Sequence, residues 1–393
     1  MRGDPASTGS DQMAYRDILF APLTSVFLLE GLTPTVLERL PGALNTVVRT
    51  RASARRVWPG PTLRAHRVEM SKIAPLAERS VHREPDSLTD AQLIAAASAH
   101  GFSGLPIALT LTPTRCAVAV AHAVFDGSGA LELIHDLLDS AAGEPLPTHQ
   151  PAVRRPVLKA LRRVRPDDAR RWIDARRNRS DEAFSDTVPP ATSEARSAAF
   201  SLSAADLGAI RRYREPNRVG RATLHSRLAS LTIAALRSVE TTGMDIPVWV
   251  TSDIRHLAGG PVDGNFITRE RIGSLHGDEW APGALAARLM RLKEPGQAIS
   301  LVWSTTGWLL RSAVGKRPAA GEEIVLTFAS TQRTFPVHVG RVTATSVGGS
   351  PTFAFVWQTR DAVHLSVFNS SGRFALDRFE ATFRALVDQR ADH

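Results

Sequence analysis

The chain has 393 residues, a formal net charge of +9 and a single cysteine, Cys116. A hydrophobic share of 43% and a charged share of 22% are typical of globular proteins and exclude disorder over most of the chain. One cysteine excludes a disulfide framework and a cysteine-based zinc site, and no apolar run approaches the ~20 residues that a membrane span needs. We therefore expect a cytoplasmic protein without a signal peptide, in which the small, polar residues 1–14 form a disordered tail.

Helix and strand patterns alternate through the first part of the chain, residues 15–150. The apolar run VFLL near its start is typical of a short buried strand. Two further runs, 107–111 and 116–124, are separated by Thr-Pro-Thr-Arg and predict a β-hairpin. A helix with one apolar face follows, and we expect His135 on its solvated side and Gly143 as its C-terminal cap.

The next part, residues 151–190, is rich in arginine. Eleven basic and five acidic residues lie between Pro151 and Glu182, which leaves a local excess of six positive charges. We predict an exposed, partly helical crossover that links two lobes. Alternatively, its arginines dock an anionic partner, such as a phosphorylated cofactor, an acidic carrier protein or a nucleic acid. The candidate docking residues are Arg154, Arg155, Arg162, Arg163, Arg170 and Arg171.

The last part of the chain, residues 191–393, again mixes the two kinds of element. A long apolar helix is predicted at 223–239 and an amphipathic one at 376–389. The predicted strands are 246–255, 324–330, 352–358 and 363–369, the last two forming a hairpin. Because helices and strands are mixed along both halves, the expected fold class is α/β or α+β.

The clearest chemical motif is His122-Ala-Val-Phe-Asp126-Gly127, which follows a predicted buried strand and precedes a helix. A neutral histidine at such a strand end can accept a proton from an alcohol or amine. Asp126 is suited to cap the helix or pair with an arginine, and Gly127 would allow unusual backbone angles in the turn. On the pattern alone, a purely structural or surface histidine is the alternative reading.

HAVFDG resembles the HxxxDG motif of the chloramphenicol acetyltransferase-like superfamily. That superfamily includes condensation domains of non-ribosomal peptide synthetases, wax ester synthases and polyketide-associated acyltransferases. The strand before the motif and the helix after it are also similar, although Ala121 stands where many members have a first histidine. A second segment, VWVTSDIRHLAGGPVDGNFIT, resembles the family strand that ends in Asp-x-Arg before a Gly-Asn-Phe turn. The plant-type DFGWG motif is absent from the sequence.

This resemblance implies a two-lobed fold, in which each lobe is a mixed sheet with helices and a tunnel runs between the lobes. Residues 15–150 would form the N-terminal lobe, and residues 191–393 the C-terminal lobe. His122 would lie in the tunnel as the general base, while Arg255 would pair with Asp126.

The resemblance also implies a reaction. A thioester of coenzyme A, or of phosphopantetheine on a carrier protein, would donate an acyl group to a hydroxyl or amine of a small molecule in natural-product biosynthesis. Asn265, Ser330 and Thr331 are the candidates for lining the tunnel or stabilising the oxyanion. No metal ion and no tightly bound cofactor are expected, and we expect a monomer.

Other functions fit the same resemblance. One is a non-catalytic protein that docks a carrier protein or RNA through the basic crossover. Another is a condensation-like enzyme whose donor is an aminoacyl-tRNA. A third is a related reaction, such as cyclisation, that uses the same histidine.

Overall fold

The fold is seen in a computed structural model, which describes residues 11–12, 23–57, 64–148, 153, 155–177, 196–212, 222–260, 262, 266–277, 280–302, 322–331, 333–347, 351–360 and 362–391. The strands are β1 Asp11–Gln12, β2 Thr24–Glu30, β3 Arg56–Val57, β4 Arg64–Arg67, β5 Val81–Arg83, β6 Ile107–Leu111, β7 Arg115–Ala121, β8 Arg196–Leu202, β9 Pro247–Asp253, β10 Ile267–Ser274, β11 Ile324–Ser330, β12 Arg341–Val347, β13 Thr352–Gln358 and β14 Val363–Asn369. The α-helices are α1 Pro34–Thr50, α2 Ile73–Arg79, α3 Asp90–His100, α4 Gly127–Ala142, α5 Pro156–Leu161, α6 Pro166–Arg177, α7 Ala204–Arg212, α8 Leu224–Val239, α9 Pro282–Arg291 and α10 Phe379–Ala391.

Two mixed sheets form the centre of the fold, which confirms the expected α/β class. The N-terminal sheet has the strand order β12-β2-β7-β6-β5, and only β5 and β6 pair in parallel. The C-terminal sheet has the order β10-β9-β11-β13-β14-β8, with β11 parallel to both β9 and β13. A third, small sheet is made of β1, β4 and β3.

Strand β12 connects the two halves of the chain, because it comes from the C-terminal half but lies in the N-terminal sheet. It pairs antiparallel with β2 over its whole length, from Arg341 opposite Glu30 to Val347 opposite Thr24. The expected assignment of all of residues 191–393 to the C-terminal lobe therefore does not hold for this strand. A local sequence pattern cannot reveal such a partner, since strand pairing is a contact between distant parts of the chain.

Alternating side chains of β2 place helices on both faces of the N-terminal sheet. Phe27 and Leu29 face α1 and α4, whereas Val26 and Leu28 face α3. Helix α4 ends at Gly143, which has a left-handed backbone with φ of 85° and is the predicted cap. The prediction that His135 is solvated is wrong, because a C-terminal segment covers α4 and buries the imidazole. Phe335 and Trp357 pack against that ring.

The C-terminal sheet is covered by helices on one face and faces the N-terminal half with the other. Val250, Leu326 and Val356 lie in the core that contains α8 and α10. The neighbouring residues Thr251 and Thr327 point the opposite way and line a cavity between the sheets. This division of faces positions the polar side chains that are described below.

The basic crossover is packed against the C-terminal half rather than simply exposed. Ala160 of α5 is fully buried in a cluster with Ile254 and Leu257, which belong to the segment after β9. Arg163 also donates a hydrogen bond to the carbonyl of His256 at 2.8 Å. The predicted helical content is present in α5 and α6, but the predicted exposure holds only for their outer faces.

Candidate active site

A cavity of about 240 Å³ lies between the two sheets. Leu23, Phe27 and His122 belong to its N-terminal wall, and Thr327 and Phe355 belong to its C-terminal wall. Both halves of the chain therefore build the cavity, and neither half encloses it alone.

His122 stands immediately after the last residue of β7. Its backbone N–H donates to the carbonyl of Leu23 at 3.1 Å, which extends the pairing of β2 and β7 by one residue. Ala123, Val124 and Phe125 behind it are buried, whereas the side chain of His122 is half-buried and lines the cavity. A rigid strand end thus presents the imidazole to a space that a substrate can enter.

Asp126 does not act on His122 but ties the motif to the C-terminal half. Its Oδ1 accepts the N–H of Gly129 at 3.0 Å and caps α4. Its Oδ2 forms an ion pair with Nη2 of Arg255 at 2.6 Å and accepts the N–H of Phe266 at 3.3 Å. Because the carboxylate is buried and both oxygens are engaged in these contacts, the motif aspartate is part of the framework.

Arg255 is held by two carboxylates. Besides Asp126, it pairs with Asp253 at 2.8 Å, and Ser128 donates to the same carboxylate at 3.0 Å. Burial works to lower the pKa of Arg255, but the charges of Asp126 and Asp253 outweigh it and raise that pKa above its usual range. The guanidinium therefore stays charged, and this ion-pair network joins the start of α4 to the end of β9.

Gly127 does not have the unusual backbone expected of it. Its φ is not positive, and a Cβ added there would lie 3.6 Å from Phe355 and 3.7 Å from Thr327, which is ordinary contact. Gly127 instead marks the point where α4 begins against the C-terminal sheet. The turn geometry comes from the Asp126 cap rather than from glycine.

Of the three residues predicted to line the tunnel or stabilise the oxyanion, the two that the structure describes, Ser330 and Thr331, do not line the cavity. Asn265 lies outside the residues that the structure describes. Ser330 is exposed at the end of β11, and Thr331 pairs through its backbone with Gln358. Strand alternation explains the discrepancy, because Thr327 and Ala329 of β11 line the cavity while Ser330 comes one residue later.

Two threonines on the C-terminal wall that the sequence did not single out line the cavity. Thr251 donates to the hydroxyl of Thr327 at 2.9 Å, which leaves the Thr327 proton for another acceptor. Thr345 on β12 also belongs to the lining, but it lies opposite Val26, whose side chain faces α3, and its hydroxyl is buried. The strand pattern could not single out Thr327, because the face of its strand that meets the cavity depends on the neighbouring strands.

A second ion-pair cluster fixes the other end of α4. Asp136 is buried between Arg51 and Arg333, with both N–O distances at 2.8 Å. Arg333 also pairs with Asp139, one turn further along the helix. Arginines from the C-terminal half thus hold the helix that follows the motif at both of its ends.

The predicted anion-docking arginines that the structure describes flank the two ends of α5 or lie on α6. Arg154 lies outside the described residues, while Arg155 and Arg162 are exposed. Arg163 is exposed too, but one of its donors is engaged by the carbonyl of His256.

The remaining two arginines of that set are each close to an acid on α6. Arg170 lies 3.8 Å from Asp167, and Arg171 lies 2.6 Å from Asp168. These pairs are three residues apart on one helix and partly neutralise the surface. Both acids are already subtracted in the local excess of six, so the ion pairs leave that net charge unchanged and reduce only the charge that these two arginines present to a partner.

Neither a metal site nor a membrane span is found in the part of the chain that the structure describes. No three side chains of histidine, cysteine, aspartate or glutamate are placed to hold a metal ion. No helix there is long and apolar enough to cross a membrane.

No protein-family model and no curated protein matches the chain. Many solved structures resemble it, and three of them do so along nearly its whole length and theirs. The first is the trichothecene 15-O-acetyltransferase from Fusarium sporotrichioides, with a TM-score of 0.61 and 12% identity over 97% of this chain and 94% of that one. The second is the epimerization domain from the third module of tyrocidine synthetase B, with a TM-score of 0.58 and 11% identity over 100% of this chain and 99% of that one. The third is polyketide synthase associated protein 5 from Mycobacterium tuberculosis, with a TM-score of 0.56 and 13% identity over 97% of this chain and 98% of that one. At these identities the likeness establishes a shared fold and leaves the reaction to be argued from the site.

Proposed function

We propose that this chain, which has the chloramphenicol acetyltransferase-like fold, is an acyltransferase of natural-product biosynthesis. The acyl group would pass from a thioester to a hydroxyl or amine of a small molecule. The observation that carries the proposal is the placement of His122 at a strand end, facing a cavity between the sheets. The acetyltransferase among the similar structures supports the same reaction class.

In this proposal His122 is the general base. Its neutral imidazole takes the proton of the acceptor hydroxyl or amine as that nucleophile attacks the thioester carbonyl. A tetrahedral oxyanion forms, the carbon–sulfur bond then breaks, and the imidazolium returns the proton to the leaving thiolate. The products are the acylated acceptor and a free thiol, so no metal ion or redox partner is needed to balance the reaction.

The oxyanion requires a hydrogen-bond donor that is in place before the reaction. We assign this role to Thr327, because it lines the same cavity as His122 and its hydroxyl accepts from Thr251, which leaves its own proton to be donated. A substrate oxygen would accept that proton. Asn265 remains a sequence-based candidate for the same task.

Coenzyme A and a carrier protein are both candidate donors. Both carry phosphate, and carrier proteins are acidic, so the outer faces of α5 and α6 are the proposed docking surface. Exposed Leu158 and Ile173 add apolar contacts between the arginines. Reversing two charges, with Arg155→Glu and Arg162→Glu, should raise the KM for the donor and leave kcat near that of the wild type.

The reaction is tested by mass spectrometry of small molecules. Wild-type protein is incubated with acyl-coenzyme A or acyl-carrier thioesters of several chain lengths and with a panel of alcohols and amines. The proposal predicts one or more products heavier by the acyl group, together with release of free thiol. Free thiol without an acylated product from any pair would contradict it, as would the absence of both.

The RNA-docking alternative is tested separately by a salt titration of RNA binding. Binding through α5 and α6 should weaken steeply as salt rises, in proportion to the phosphates neutralised. No binding at low salt would remove this alternative. The ion pairs of Arg170 and Arg171 favour that result, because they reduce the charge available to a phosphate backbone.

A further inference from the structure

A charged residue faces the same cavity from the wall opposite His122. Arg269 on β10 lies in register with Thr251 on β9, which in turn pairs with Thr327 on β11. Strands lie about 4.8 Å apart, so the backbone of Arg269 is about 10 Å from that of Thr327. Because Thr327 lies beside Gly127 at the start of α4, this distance approximates the span from the motif to the arginine.

The guanidinium of Arg269 is oriented by two neighbours. Its Nη2 donates to the carboxylate of Glu323, and its central carbon lies 4.7 Å from the ring centroid of Trp249. The side chain is still 39% exposed and lines the cavity. The contacts with Glu323 and Trp249 therefore fix the direction of the planar group without covering it.

The donors of Arg269 are only partly used. A guanidinium has five N–H donors, and the hydrogen bond found within the described residues is the one from Nη2 to Glu323. A guanidinium has two edges with parallel N–H groups, one formed by Nε and Nη2 and one formed by Nη1 and Nη2, and the contact with Glu323 uses one N–H of Nη2. The other edge keeps its pair of N–H groups, the arrangement that a carboxylate accepts in a bidentate contact. The apolar residues Ile267, Val325 and Phe353 line the cavity as well and would hold an uncharged body of a ligand.

We propose that Arg269 binds the carboxylate of the acceptor, so that the acceptor is a small carboxylic acid with its hydroxyl or amine at the other end. An ammonium group is the less favoured ligand, because the two acids among the described lining residues are already paired with arginines, Glu323 with Arg269 and Asp253 with Arg255. This inference rests on the proposed function in one respect, because the bound acid is an acceptor only if the protein transfers an acyl group. The carboxylate site itself does not depend on catalysis.

The experiment measures binding rather than turnover, so the two proposals can fail independently. Calorimetric titrations compare hydrocinnamate with its neutral amide, hydrocinnamamide, and with inorganic phosphate. The proteins are the wild type, Arg269→Gln, Glu323→Gln and the control Arg291→Gln, which alters an exposed arginine on α9. Thermal unfolding checks that each variant is folded.

Wild-type protein should bind hydrocinnamate about tenfold more tightly than the amide. Arg269→Gln should abolish that ratio, Arg291→Gln should keep it, and Glu323→Gln should tighten acid binding about threefold by removing the competing charge. Acid affinity should thus fall in Arg269→Gln and rise in Glu323→Gln. General damage to this wall of the cavity would instead lower the affinity in both variants.

Equal affinities for acid and amide in the wild type would overturn the proposal, as would no binding of either. An acid preference that survives in Arg269→Gln would also overturn it. Phosphate binding as tight as hydrocinnamate, and equally lost in Arg269→Gln, would replace the carboxylate by a phosphate group. An acid preference without any acyl transfer would leave the carboxylate site standing and refute the proposed acyltransferase.

Discussion

The two walls of the cavity are built in different ways. The N-terminal wall presents one short segment, in which His122 faces the cavity and Asp126 is fixed from behind by Arg255. The C-terminal wall is a sheet face on which Thr251, Thr327 and residues of adjacent strands stand side by side. The motif therefore supplies a reactive group, His122, and an anchor, Asp126. The facing sheet supplies the surface that a substrate contacts.

The largest expected effect is on the anchor. Asp126→Ala leaves Arg255 charged and largely buried with one of its two carboxylates missing, and should lower the free energy of unfolding by about 3 kcal/mol. Denaturant unfolding measures this loss. His122→Ala is the matched control from the same motif and should unfold near the wild-type midpoint. Equal free energies of unfolding for the two variants would contradict the view that Asp126 stabilises the fold while His122 serves the reaction.

The next effect separates activity from stability on the C-terminal wall. Thr327→Val keeps the shape of the side chain but removes the proposed oxyanion donor, so kcat should fall about 100-fold. The free energy of unfolding should fall by only about 1 kcal/mol, because the variant loses the hydrogen bond from Thr251. An unchanged kcat would exclude Thr327 from the reaction and leave Asn265 as the candidate.

The second ion-pair cluster should have a smaller effect. Arg333→Ala removes one of two arginines from the buried carboxylate of Asp136, and the loss of a hydrogen bond to a charged group costs about 2 kcal/mol. Arg51 remains as a partner, so the loss should be smaller than for Asp126→Ala. Denaturant unfolding of Arg333→Ala and Asp126→Ala under the same conditions gives the order. A larger loss of stability in Arg333→Ala than in Asp126→Ala would instead make the Asp136 cluster the main connection between the two halves of the chain.

The smallest effect concerns pH. Burial, and then the charge of Lys293, lowers the pKa of His225 below 6.5, although a hydrogen bond with Gln358 raises it. A histidine with a lowered folded-state pKa binds fewer protons folded than unfolded, so stability falls as pH drops below about 6.5. His225→Gln should flatten this slope, because glutamine does not titrate. It should not remove the slope, since burial also lowers the pKa of His82.

The sequence predicted the N-terminal wall much better than the C-terminal one. His122, Asp126 and Arg255 belong to two short segments whose residue order resembles a known family, and the structure pairs the aspartate with the arginine. The roles of Thr327 and Arg269 became visible only with the sheets, because their neighbours come from distant strands. The prediction that His135 is exposed failed for the same reason, since the segment that buries its side chain begins about 200 residues later along the chain.

The role of His122 as the general base is tested most directly by chemical rescue, in which added imidazole replaces the missing side chain of His122→Ala. With a donor and acceptor pair found by mass spectrometry, the transfer rate of His122→Ala should fall about 1,000-fold. Added imidazole should restore part of that rate, because it enters the space left by the missing ring, and it should not accelerate Thr327→Val. A His122→Ala protein that transfers the acyl group at the wild-type rate would contradict that role.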